Sequence, residues 1–303
     1  MNKTIILALT LSCFVLCSCT RESSKTSENK KSPETTENKT GQTNTNTPST
    51  EKKPAEVNGQ SSPESAGNLG NGLPKFTEKN YKKSYKGCDD KKEDCTNFQV
   101  YYPEMTEGAY KDKVNALVKD MALSSYSTDD KHYPDFDKLM DGFMKDYEDF
   151  RKEFPDAPAV WYLKDSTAIV YNSSYILCLA NISENYLGGA HGSYNVAYTN
   201  FDMRNGNVLK TKDIFNKGYE TALNKMIEAQ YRKQMNLKPG EPLIEGGLFD
   251  NKIAFNDNFA ITNEGIEFLY NQYEIAPYAV GVIDIKLTYK ELDAILNKEV
   301  IKM

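Results

Sequence analysis

Histidine is nearly absent: His132 and His191 are the only two in 303 residues. A zinc site needs three or four converging nitrogen, sulfur or carboxylate ligands. No H-x-H, H-x-x-x-H or H-E-x-x-H spacing occurs, so the sequence implies no metal and no cofactor. There is no G-x-S-x-G nucleophile pattern either. A phosphate-binding glycine loop should open a helix, whereas the glycine-rich "LGGAHG" runs into a strand pattern. Basic excess is missing too: 37 Lys and Arg against 43 Asp and Glu leave a net charge of −6, which excludes a nucleic-acid partner of the basic-face kind. After the first eighteen residues no apolar run reaches the length of a membrane span. The acidic residues form many accidental pairs, and nothing singles out two for glycoside chemistry.

Aromatic residues are wholly absent between Thr20 and Lys75. That stretch is Ser, Thr, Asn, Lys, Glu, Pro and Gly. It has too little apolar surface to offset backbone ordering and is expected to remain a disordered tether. Residues 1–18 place Lys3 before a short apolar run, a secretory signal pattern. The run ends in "LCSC", which resembles the lipobox of bacterial lipoproteins. Cys19 is then expected to be lipidated and to hold the chain on a bilayer. The expected location is the cell envelope. In the same exported setting, Cys88 and Cys95 of "KGCDDKKEDCTN" are expected to form a disulfide. A metal pair is the other reading, and the spacing is wrong for C-x-x-C. Cys178, in "YILCLANI", reads as a buried free thiol.

From Phe76 onward the chain is aromatic-rich and patterned. "NFQVYY" alternates as a strand. Val114, Leu117, Val118 and Met121 form one helical stripe. Phe136, Leu139, Met140, Phe143, Tyr147, Phe150 and Phe154 form another. Strands are expected over 159–165, 167–183 and 193–203. Asn205-Gly206 marks a hairpin with positive φ at both central residues. A helix follows across "GYETALNKMIEAQYRKQM". Strands return over 258–262, 265–270 and 279–287, and Thr288 with Glu291 form a capping box for a last helix. Helices grouped between runs of strands predict an α+β fold, with antiparallel sheets packed by helices in two intimately associated subdomains.

Two segments are candidates for function. In "NYLGGAHGSY", Gly188, Gly189 and His191 connect two strands. The histidine either fixes the loop by donating to a carbonyl or forms a rim that contacts a partner. In "YNQYEIAPYAVG", Tyr273, Pro277 and Tyr278 either pack under the sheet or form an interface, where tyrosine is favoured.

"FQVYYPEMTEGAYKDKVNALV", with its Tyr-Pro pair and Asn115, resembles the non-catalytic N-terminal domain of PdaC-type peptidoglycan deacetylases. "YLGGAHGSYNVAYTNFDMRNGNVLKTKDIF" and "NFAITNEGIEFLYNQYEIAPYAVGVIDIKLTYKEL" are similar to the extracellular domain of RsiV-type anti-sigma factors. The resemblance implies a PdaC-like domain over 76–190 and an RsiV-like domain over 191–303. It also implies a module that works by binding, since the RsiV type recognises lysozyme. No deacetylase domain accompanies it here, so the expected protein is a lipid-anchored, non-catalytic envelope module. Its expected partner is a lysozyme-like muramidase or a peptidoglycan component. The alternative is a peptidoglycan-active enzyme using carboxylates that the sequence does not identify.

Overall fold

The structure is a computed structural model that describes residues 72–127, 131–157 and 160–301. The expected leader, Cys19 and almost all of the tether lie outside the described residues. The fold is α+β. Nine strands form a six-stranded sheet in the order β1-β2-β3-β4-β5-β6 and a three-stranded sheet β7-β8-β9. The first sheet contains β1 (Lys75–Ser84), β2 (Asn97–Glu107), β3 (Tyr162–Asn172), β4 (Ile176–Tyr186), β5 (Ser193–Asp202) and β6 (Asn207–Val208). The second contains β7 (Phe259–Ile261), β8 (Gly265–Tyr270) and β9 (Ile283–Thr288). Helices α1 (Lys111–Leu123) and α2 (Phe136–Glu153) separate β2 from β3. The short α3 (Thr211–Ile214) and the longer α4 (Glu220–Gln234) precede the second sheet, and α5 (Tyr289–Leu292) follows it.

Sheet one is mixed rather than antiparallel throughout, because β2 pairs with β3 in parallel. The two helices between those strands form a crossover, which brings the chain back in the same direction. Helices α1 and α2 cover one face of this sheet. Val114, Val118, Leu139 and Phe143 pack there on Phe98, Val100, Leu163 and Leu179, all at most 1% exposed. Each such side chain contributes roughly 1.5–3 kcal/mol of burial free energy. Leu117 and Met121 of the expected stripe are only half-buried, and Phe154, which caps the end of α2, is 49% exposed. A second core forms where Leu223, Ile227 and Tyr231 of α4 pack on Phe259, Phe268 and Ile285.

Several boundaries differ from the sequence expectation. β1 had no counterpart there, because its lysines mask the inward Phe76 and Tyr81. Lysine is common on edge strands, where it discourages pairing with another chain. The break between the third and fourth strands falls at 173–175, not at Ser166. Ser173 makes that turn: its Oγ accepts from the Ile176 N–H at 2.9 Å, and its own N–H donates to the Ile176 carbonyl at 2.9 Å. The Asn205-Gly206 hairpin is a four-residue loop between the paired Asp202 and Asn207, and only Gly206 has positive φ (+69°). Asp202 organises it, accepting from the Arg204 N–H and from Asn205 Nδ2. The last helix keeps its capping box but is only one turn long.

β5 begins at Ser193, on the far side of the expected boundary at 190/191, yet it pairs along its whole length with β4. Its other edge is covered mostly by asparagine side chains from the second half. Asn271 accepts from the Val196 N–H and donates to its carbonyl, at 2.8 and 3.0 Å. Asn258 accepts from the Tyr198 N–H at 2.8 Å. Asn200 on β5 returns the arrangement, donating to the Phe259 carbonyl and accepting from the Ile261 N–H. Between the sheets Cys178, Ala180, Val196 and Tyr198 pack with Ala260 and Leu269. Cys178 is a buried free thiol, with its pKa pushed up to about 12 by burial.

Candidate functional site

The sheet–sheet packing covers the β4–β5 half of sheet one on the face away from α1 and α2. At the margin of that packing the two candidate segments meet. The glycine loop joins β4 to β5, and 271–282 joins β8 to β9. The His191 ring stacks on Tyr278 with centroids 4.1 Å apart and planes 25° apart. Tyr273 completes the group, its ring centroid 5.7 Å from that of Tyr278.

Hydrogen bonds occupy both imidazole nitrogens. Nδ1 lies 2.9 Å from the Gly192 carbonyl. A carbonyl only accepts, so Nδ1 carries the proton, and Nε2 accepts from Tyr273 Oη at 3.3 Å. Among the described residues no hydrogen bond joins Ser193 to this histidine. Among the described residues no group of three or more His, Cys, Asp or Glu could hold a metal ion.

Backbone geometry supports the rim. Gly188 has φ +84°, a turn conformation open to glycine at little cost. Gly192 is required for a different reason: a Cβ there would sit 2.9 Å from the Asn185 carbonyl oxygen and 3.6 Å from Tyr162 Oη. Tyr273 has φ +66°, although it is not glycine, and remains 57% exposed. Pro277 and Gly189 are exposed on the same rim, and Tyr278 is half-buried.

The "YNQYEIAPYAVG" segment therefore divides between core and surface. Tyr270 is fully buried and donates to the Ala254 carbonyl, whereas Tyr273 points outward.

Tyr162, which the sequence did not single out, links this rim to a groove. Its pKa is raised by burial, then by Glu184 and by the neighbouring Tyr278. The groove has a volume of about 420 Å³ and lies over the uncovered β2–β3 half of the sheet. Asn97, Gln99, Tyr162, Lys164 and Glu184 line it from the strands, with Lys92 and Glu93 on the loop bridged by Cys88–Cys95. No sequence signal marks this groove, because its residues come from three strands and a loop.

The carboxylate pushed furthest from its ordinary range is elsewhere. Asp165 is 1% exposed, and burial raises its pKa to about 7, opposed by a hydrogen bond from Asn181. It is sealed in the interior and does not line the groove.

Known proteins echo both halves. A family model described as deacetylase PdaC matches residues 90–194, and one described as a protein of unknown function (DUF3298) matches residues 212–290. The peptidoglycan-N-acetylmuramic acid deacetylase PdaC of Bacillus subtilis is 25% identical over 208 residues, which are 68% of this chain. The chain spans only 40% of that relative's length. A DUF3298-family structure from Bacteroides fragilis aligns with TM-score 0.60 at 22% identity, covering 76% of this chain and 96% of that one. One from Pseudomonas aeruginosa aligns with TM-score 0.57 at 18% identity, covering 75% and 96%. The chain is thus similar in sequence to PdaC over 208 residues and to the DUF3298 model over residues 212–290, on a fold shared with solved DUF3298-family proteins.

Proposed function

We propose that this chain is a lipid-anchored, non-catalytic binding module of the cell envelope whose His191–Tyr273–Tyr278 rim recognises a lysozyme-like muramidase. One observation carries the reading: Tyr273 is 57% exposed in a left-handed backbone conformation that bulky residues avoid. Such strain persists where the surrounding structure over-determines it, often at ligand contacts. Tyrosines with an apolar body and polar tip are typical binding anchors. The net charge of −6 suits encounter with a basic enzyme, by steering that weakens with salt. The lipobox-like "LCSC" supports the anchor, and the PdaC relative, which is named for peptidoglycan, supports the envelope setting. That relative's deacetylation is not carried over, since most of its length has no counterpart here.

Calorimetry of the full-length protein against several lysozyme types tests the partner. Saturable binding at low salt, weakening as salt rises, is expected. Absence of binding to every type would sink the muramidase assignment.

A second reading, a peptidoglycan component as ligand, is favoured by the open groove beside the rim, which mixes amides, charges and apolar lining. The enzymatic alternative requires two convergent acids in a cleft, one with a raised pKa. Asp165 has the raised pKa but is enclosed in the interior. Turnover of wall fragments, abolished by one carboxylate substitution, would establish that alternative.

A further inference from the structure

We infer that the groove between the disulfide loop and Tyr162 is a saccharide site that takes an N-acetylated oligosaccharide bearing carboxylates. The inference rests on the envelope-module reading and gives it a second ligand class. The argument begins with what a sheet face can offer. Its backbone N–H and C=O groups are used within the sheet, so an occupant must bind through side chains. A peptide adding as a strand needs an open edge, which this site is not.

The side chains present are amides, charges of both signs and one tyrosine, with Val160 and the bridged Cys95. The amides are held in place before any ligand arrives. Tyr101 Oη donates to Gln99 Oε1 at 2.9 Å, Gln99 Nε2 donates to Asn97 Oδ1 at 3.2 Å, and Asn97 Nδ2 donates to the Cys95 carbonyl at 2.9 Å. Amides oriented in this way suit a ligand that both donates and accepts, as hydroxyl and N-acetyl groups do, and preorganisation reduces the ordering cost of binding.

Charge narrows the class. Most ion pairs of this protein use lysines, but Lys92 and Lys164 make none among the described residues. Both line the groove beside Glu93 and Glu184, and each can pair with a ligand carboxylate. Glu184, which accepts from Tyr162 Oη at a long 3.4 Å, has capacity left for ligand hydroxyls. Tyr162 adds a ring against which the C–H face of a pyranose can pack, its hydroxyl staying in the polar layer. Val160 and Cys95 add apolar lining beside these polar groups, and Tyr162 is the one aromatic side chain that lines the groove.

The test is calorimetry of the full-length protein with peptide-free peptidoglycan glycan strands and, separately, with chitin oligomers, which carry N-acetyl groups but no carboxylate. Glycan strands should bind saturably, and chitin oligomers about tenfold more weakly. Lys164→Gln, at an exposed position, should lower glycan affinity about tenfold and remove the preference over chitin, and Tyr162→Phe should retain most binding where Tyr162→Ala does not. Lys164→Gln, which lies off the rim, should not alter lysozyme binding. Failure of glycan strands to bind while lysozyme binds would overturn the saccharide site and leave the rim reading standing. Glycan binding without lysozyme binding would do the reverse. Unchanged glycan affinity in both Lys164→Gln and Tyr162→Ala would overturn the groove assignment, and equal binding of chitin would overturn the carboxylate requirement.

Discussion

His191 and Tyr278, 87 positions apart in the chain, stack with ring centroids 4.1 Å apart, and the histidine's two nitrogens are both engaged, by the Gly192 carbonyl and by Tyr273 Oη. The arrangement turns two loops into one exposed aromatic surface.

The rim should therefore be separable from stability. Tyr273→Ala removes a side chain that is 57% exposed and relieves nothing in the core. Thermal melting should shift by no more than about 1 kcal/mol equivalent. Lysozyme affinity should fall about tenfold or more, as measured by calorimetry. His191→Ala should have the same direction of effect. A loss of melting temperature that accounted for the lost binding would mean that the rim is structural.

Asp165 sets a pH dependence. Its pKa is raised from 3.8 to about 7 by burial, so the folded state holds the proton more tightly than the unfolded one. The associated stability is fully present below about pH 4 and declines as pH rises toward 7, by on the order of 3–4 kcal/mol. Asp165→Asn should flatten that slope and be the more stable form at pH 8. Urea midpoints at pH 5 and pH 8 for the two proteins measure it. Parallel slopes would show that Asp165 does not titrate in this way.

The Cys88–Cys95 bridge closes a short loop that walls the groove. Replacing both cysteines by serine should cost about 2–3 kcal/mol on the chain-entropy estimate for so small a loop. Glycan affinity should drop with it as Lys92 and Glu93 lose their fixed position. Denaturant unfolding and calorimetry of the variant check the two effects separately.

Asparagine side chains join β5 to the second half of the chain. Asn200→Ala leaves the Phe259 carbonyl and the Ile261 N–H without their partners in a buried place. The expected cost is about 2–5 kcal/mol from two orphaned backbone groups. Hydrogen exchange should show the loss first in β7 and β5. Exchange unchanged there would mean that the sheets are held by apolar packing alone.

Asn115 makes the corresponding link in the first half, accepting from the Met105 N–H at 2.8 Å and donating to its carbonyl at 2.9 Å. Asn115→Ala should destabilise by about 1–3 kcal/mol, seen as a lower urea midpoint. Its position on a helix following a Tyr-Pro strand end was visible in the sequence, whereas its partner was not.

Local patterns were legible where one face of an element is buried. The 3.6-residue stripe of α2 and the alternation of β5 followed directly from which side chains need to leave water. The capping box at Thr288 and Glu291 and the Cys88–Cys95 bridge were readable because both depend on near neighbours in the chain. β1 was not legible, since its lysines hide a two-residue apolar face. The turn at Ser173 was passed over because Asn172, Ser173 and Ser174 make only a short polar break between two apolar stretches.

The sequence alone determined the α+β class and nominated the glycine-histidine loop and the tyrosine segment. Composition, periodicity and glycine placement act over a few residues and can be read without a partner. Only the tertiary structure decided that the two segments meet, that β2 and β3 run parallel, and that Asn97, Gln99, Tyr162, Lys164 and Glu184 share one groove. Those relationships depend on which strand faces which after the crossover and on which half of a sheet face the second sheet leaves open. Strand order and sheet coverage are non-local, and no spacing along a single chain encodes them.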